Sequence, residues 1–149
     1  MQRQEIEALL PIGDPYLWID EVVEMSTDRI HAQKHLHPDL DVFRGHYTNF
    51  PVFPGALQCE CAFQAAAVLL TQTEMAAEGG VPVIARMNNV KFRRMVRPGD
   101  TLDIHVELTQ RARRLLHMQG TLTVGGKISC QLEFVATEAS SGAADPDKP

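Results

Sequence analysis

No apolar run in these 149 residues approaches the ~20 that cross a bilayer. The opening stretch, MQRQEIEALL, also lacks the basic-then-apolar pattern of an export signal. Membrane insertion and secretion are therefore not expected, and a cytoplasmic location is. Cysteine is scarce: three, an odd number, which excludes a complete disulfide framework and fits a reducing compartment. A basic surplus is missing too. The chain has 14 Lys and Arg against 19 Asp and Glu, a net charge of −5, so nucleic acid is not the expected partner. No internal repeat is visible. What remains is the composition of a soluble globular protein, 44% hydrophobic and 22% charged, at a length suited to one core. Residues 1–138 read as a single domain. Residues 139–149, rich in Ser, Ala, Asp and Pro, read as a disordered tail.

The patterning predicts an α+β fold. Ile6, Leu9 and Leu10 fall at near-helical spacing before Pro11 stops the turn. Residues 18–25 and 29–36 read as strands, the second with Ile30, Ala32 and Leu36 on one face. Residues 56–78 contain no Gly or Pro and are dense in helix formers, which predicts a buried helix ~30 Å long, ended by Gly79-Gly80. Leu102, Ile104, Val106 and Leu108 alternate with polar residues, as do Ile128, Cys130, Leu132 and Phe134. Residues 115–124 form a strand between them, turned at Gly125-Gly126. One long helix with five or six largely antiparallel strands implies a sheet wrapped on a helix.

Glu60 is the residue least at home in that pattern. It sits in the apolar helix between Cys59 and Cys61, one turn before Gln64, which shares its face. A carboxylate there is paired, protonated or facing a cavity, and burial favours the protonated form that a general acid needs. The alternative is a carboxylate that reaches solvent or a subunit interface. Fourteen residues earlier comes His46, in a loop that runs through Pro51-Val52-Phe53-Pro54-Gly55 into the helix start. A lone loop histidine is commonly structural. Here it precedes a helix N-terminus whose unpaired N–H groups stabilise negative charge, so base, oxyanion site and acid form a proton-transfer set.

Gly45-His46, Pro51 to Gly55, Glu60 and Gln64 together resemble the signature of the bacterial 3-hydroxyacyl-acyl carrier protein dehydratases of the FabZ/FabA type. The segments from Pro15 to Val22, from Lys91 to Arg94 and Pro98-Gly99-Asp100 match as well, so the resemblance covers about residues 5–137 in order. It implies the hotdog fold: an antiparallel sheet around one long buried helix. By the same resemblance His46 is the general base at C2 of a 3-hydroxyacyl thioester. Glu60 is the acid that protonates the departing C3 hydroxyl, leaving a trans-2-enoyl thioester. The amides of Gly55 and Val52 polarise the thioester carbonyl, and Gln64 orients the carboxylate. The family builds this site at a dimer interface, in dimers or trimers of dimers, with acyl carrier protein or coenzyme A bearing the substrate. Glutamate at position 60 resembles the plain dehydratase branch; the branch that also isomerises carries Asp. No cofactor is implied, because elimination of water moves protons and no net electrons.

Three departures stand out: Tyr47-Thr48-Asn49-Phe50 where Phe-Pro-Gly-Arg is usual, Gly13-Asp14 where His-Arg is usual, and Met95 where Pro is usual. None removes a proton-transfer group. They alter the loop beside His46 and leave the pathway open among fatty acid, lipid and polyketide synthesis. Between Arg86 and Arg114 there are eight Lys and Arg against three Asp and Glu. That stretch is a solvated sheet face or a docking patch for an acidic carrier, with Arg93, Arg94 and Arg97 as candidates. His31, His35 and His37 share a strand face, but a polar face explains them better than a metal. Cys59 and Cys61 lie on different sides of their helix and read as packing residues. The competing functions are a hotdog thioesterase, with Glu60 activating water, and a non-catalytic acyl-binding protein.

Overall fold

A computed structural model describes residues 1–73, 76 and 79–140. The elements run α1 (Arg3–Leu9), β1 (Glu21–Met25), β2 (Arg29–His35), α2 (Val42–Gly45), α3 (Gly55–Leu70), β3 (Gly80–Phe92), β4 (Thr101–Ala112), β5 (Leu115–Val124) and β6 (Lys127–Ser140). Six strands form one sheet in the order β1-β2-β4-β5-β6-β3, every neighbour antiparallel. The sheet wraps α3, which is the hotdog arrangement.

Alternation dictates which face meets the helix. Leu102, Ile104 and Val106 of β4 and Leu122 and Leu132 of the next two strands are almost fully buried. Each such side chain contributes about 1.5–3 kcal/mol on burial. On the helix side, Ala62, Ala65 and Ala66 keep the surface low, so the backbone approaches closely. Gly120 completes that approach: a Cβ there would sit 2.9 Å from Leu132 Cδ2 and 3.2 Å from Ala62 Cβ. At the β5–β6 turn Gly125 and Gly126 both adopt positive φ (56° and 78°), the geometry of a two-residue hairpin.

Several expected boundaries shift, each for a local reason. Helix α3 stops at Leu70, not at residue 78, because Thr71 and Thr73 turn their hydroxyls back onto the carbonyls of Val68 and Leu70. Positions 74, 75, 77 and 78 of the expected helix lie outside the described residues. The strand expected over 18–25 begins only at Glu21. Before it, the Tyr16 and Leu17 amides donate to the Gly13 carbonyl and the Trp18 amide donates to Gln64. Leu9 was expected on the apolar face of α1 and is exposed, whereas Ile6 and Leu10 are buried. Strand β6 extends through Ala139 and Ser140, two residues into the expected tail, because Val81 and Gly80 of β3 pair with them. Residues 141–149 of that tail lie outside the described residues.

Strand β3 was not individually foreseen. It is an edge strand with both faces largely open, so it lacks the alternation that reveals a half-buried strand. Lys34 was also overlooked. It points to the core side of β2 and is buried, its Nζ 2.8 Å from Asp20 Oδ1 and 5.9 Å from the centre of the Trp18 ring.

The histidines expected on one polar strand face each have a partner within the chain. His31 stacks on His105, directly opposite it on β4, and its Nε2 lies 2.8 Å from Asp103 Oδ1. His35 pairs with Thr101 and His37 with Asp39. Among the described residues no three His, Cys, Asp or Glu side chains are grouped to hold an ion.

Burial and the neighbouring His31 charge hold His105 below the usual 6.5, against the pull of Asp103. Burial raises Asp103, but hydrogen bonds from Gln33 and His31, with the charges of both histidines, bring it below its usual 3.8. In both cases the unfolded chain binds the proton more readily. The His105 contribution is therefore lost as pH falls from about 6.5 toward its folded value, and that of Asp103 as pH falls below about 3.8. The urea midpoint should fall between pH 8 and pH 5 in the native chain. His105→Gln should flatten that slope; an unchanged slope would refute the assignment.

Candidate active site

The loop from His46 to Pro54 hangs on two buried rings. Phe43, in the single turn of α2, packs at 6.4 Å from Phe53. Phe53 lies edge-on to Trp18 at 5.3 Å, and its amide donates to the Val96 carbonyl (2.7 Å). This fixes the chain on either side of His46, whose own amide closes α2 onto the Val42 carbonyl. Tyr47, next in sequence, takes a left-handed φ of 52° and sets its exposed ring 4.7 Å from the imidazole.

His46 Nδ1 lies 2.7 Å from the Val52 carbonyl oxygen. A carbonyl only accepts, so Nδ1 carries the hydrogen and the lone pair of the neutral ring is on Nε2. The ring as a whole is half-buried.

Gly55 opens α3, so its N–H has no partner within the helix and forms part of the positive end of the helix dipole. Its lack of a side chain is used: a Cβ would meet the Phe92 ring at 2.8 Å. Val52 contributes its carbonyl to His46 and stands three residues before that helix start.

Glu60 projects from the second turn of α3 and is half-buried. Gln64, one turn on and buried, donates Nε2 to Glu60 Oε1 (3.0 Å) and to the Tyr16 carbonyl (2.8 Å), while its Oε1 accepts the Trp18 amide (2.7 Å). One amide thus joins the carboxylate to the segment before β1. Glu60 and Gln64 open onto a cavity of about 140 Å³ walled by Ile12, Phe63, Ala67, Leu70 and Ile84. Apolar walls behind a carboxyl suit an acyl chain. Gln64→Leu strands a backbone amide and a carbonyl in that buried position, and should cost about 2–4 kcal/mol in urea unfolding. A loss within 0.5 kcal/mol would mean the amide fastens nothing.

Among the described residues no hydrogen bond joins His46 to Glu60 within one chain. The histidine bonds Val52 and touches Tyr47, and it is not among the walls of the Glu60 cavity. The basic candidates divide. Arg94 and Arg97 share an open cleft of about 500 Å³ with Met95 and Lys127, whereas Arg93 is turned to Gln131. Arg97 lies over the Phe50 ring at 5.5 Å, beside the His46 loop. Arg111, Arg113 and Arg114 sit at the far end of β4, so the basic stretch of sequence is not one patch. The Cys61 thiol is pushed well up by burial, as befits a packing residue. Sequence reasoning missed the tie to Tyr16, whose carbonyl accepts from the same Gln64 Nε2 that holds Glu60; burial first and then the nearby Glu60 charge raise its phenol pKa above the usual 10.0.

A six-stranded antiparallel sheet around a long helix is the class shared with solved hotdog structures. The dehydratase heterocomplex ApeI:P from Xenorhabdus doucetiae superposes with a TM-score of 0.75 at 16% identity, over 91% of each chain. A hypothetical thioesterase from Streptococcus pneumoniae, solved with coenzyme A, gives 0.63 at 14% identity, over 80% of this chain and 85% of that one. Sequence narrows the class. The chain belongs to the FabA/FabZ-like dehydratase family: the FabA-like domain matches residues 10–133. It is 36% identical over 140 residues to the 3-hydroxyacyl-(acyl-carrier-protein) dehydratase FabZ of Novosphingobium aromaticivorans, covering 93% of this chain and 89% of that protein. It is 38% identical over 136 residues to the FabZ of Oenococcus oeni, covering 91% and 97%.

Proposed function

We propose that two copies of the chain pair through β3 and dehydrate a 3-hydroxyacyl thioester at two shared sites. His46 Nε2 of one copy takes the C2 proton, and the electron pair forms the C2–C3 double bond. The C3–O bond breaks as Glu60 of the other copy delivers its proton, so the hydroxyl leaves as water. The product is a trans-2-enoyl thioester, and the proton on His46 returns to Glu60 through solvent. The Gly55 and Val52 amides receive the enolate charge on the thioester oxygen, an interaction that contributes ~3–4 kcal/mol per donor in such sites. Gln64 holds Glu60 Oε1 and leaves the second oxygen to the substrate.

The observation that carries this reading is the fixed tautomer of His46, whose Nδ1 is taken by the Val52 carbonyl and whose lone pair is on Nε2, in a chain of this family. Pairing through β3 is supported by the contrast between the sheet's two edges. At β1 the N-terminus covers the edge, with Gln2 bridging Glu21 and Met1 bonded to Val22. At β3, Val83, Met87 and Phe92 are exposed along a 13-residue edge, a form that soluble proteins pair or cover. Arg94, Arg97 and Lys127, beside the His46 loop, suit the phosphates and acidic surface of an acyl carrier; coenzyme A offers similar charge.

Ultraviolet absorbance of a 3-hydroxyacyl thioester mixed with the protein tests the reaction. The enoyl band should appear with the native chain and vanish with Glu60→Gln. Free thiol without the band would establish a thioesterase instead, and binding without either would establish an acyl-binding protein.

A further inference from the structure

The cavity beside Glu60 has a depth set by one side chain. Glu60, Phe63, Gln64 and Ala67 lie at i, i+3, i+4 and i+7, so they share one stripe of α3 and line the same space. At a rise of ~1.5 Å per residue, Phe63 stands about one turn beyond Glu60, ahead of the small Ala67 and the last helical residue, Leu70. Its ring is braced. Phe134, buried on β6 and flanked by Met118 of β5 and Met87 of β3, holds it edge-on at 5.1 Å. The opposite wall is fixed as well, because Ile84 and Ala136 are paired across β3 and β6. The space left is about 140 Å³, the liquid volume of roughly four or five water-sized groups.

Resting on the dehydratase reading above, we infer that Phe63 limits acyl length, and that the substrate is a short 3-hydroxyacyl thioester of up to about eight carbons. Glu60 delivers its proton at the C3 oxygen, so C1 to C3 stay at the mouth and C4 onward enters the cavity. Roughly four or five carbons fill it. A longer tail has to displace a ring with buried neighbours, and a close-packed interior resists that. The tail itself is apolar: apart from Glu60 and Gln64, every lining side chain among the described residues is hydrocarbon.

Dehydration of 3-hydroxyacyl thioesters from about four to about sixteen carbons reads the limit directly. For the native protein kcat/KM should fall by roughly 10-fold or more beyond about eight carbons, the usual penalty for a methylene that a pocket cannot seat. Phe63→Ala opens the way to Ala67 and Leu70 and should raise the long-to-short ratio of kcat/KM by roughly 10-fold. Phe63→Leu should raise it less. Ala67→Leu, which fills the same cavity, should lower it, and a merely loosened fold would not move the variants in opposite directions. Such ratios survive a general loss of activity. An unmoved ratio in Phe63→Ala, or native turnover as fast with about sixteen carbons as with about six, would overturn the inference and route the tail past Phe63. A native protein inactive at every length would instead overturn the dehydratase reading. Calorimetry with saturated acyl-coenzyme A thioesters of the same lengths would still decide the limit. Short ones bound and long ones refused would support it; equal binding, or none, would overturn it.

Discussion

His46→Asn should lower kcat for dehydration by ~10²–10⁴-fold, the usual contribution of a positioned base, and leave the fold intact. Asparagine can still donate to the Val52 carbonyl, as Nδ1 does now, so the loop keeps its anchor. What it lacks is a nitrogen that accepts a proton. The half-buried ring contributes little apolar packing, and melting temperature should stay within ~2 °C of the native chain. Loss of activity with loss of fold would reduce His46 to a structural residue. Retained activity would remove it from the chemistry.

Charging the open edge should have an effect as large by a different route. Val83→Lys with Met87→Lys places two ammonium groups on β3, and a two-fold interface brings four together. Both side chains are exposed in the single chain, so the core does not depend on them. The expected result is a folded monomer by light scattering, with dimer affinity weakened by ~10³-fold or more through like-charge contact and desolvation. Activity should fall in step with dimer content. A fully active monomer would place both catalytic groups in one chain.

Much of this architecture is legible in the sequence. Strands β4, β5 and β6 have one face on α3 and one toward water, so alternation exposed them. The i,i+4 spacing of Glu60 and Gln64 sets them on one helix face, and their hydrogen bond follows from that spacing. Strand β3 gave no such signal, because a chain considered alone has nothing for its exposed residues to face. Lys34 occupies an inward position of β2, and only its pairing with Asp20 makes a charge tolerable there. The end of α3 turned on two threonine hydroxyls, a local competition that a count of helix formers does not register. Tyr16 lies 44 residues before Glu60, and no spacing rule connects a loop tyrosine to a helix across that distance.

Complementation between two inactive variants tests the central claim most directly. Chains carrying His46→Asn and chains carrying Glu60→Gln are mixed, exchanged through reversible dissociation, and assayed for the enoyl band. If one copy lends the base and the other the acid, half of the exchanged dimers regain one of two sites, and activity returns to about a quarter of native. A mixture as inactive as its components, with exchange verified by mass, would contradict a site shared between copies.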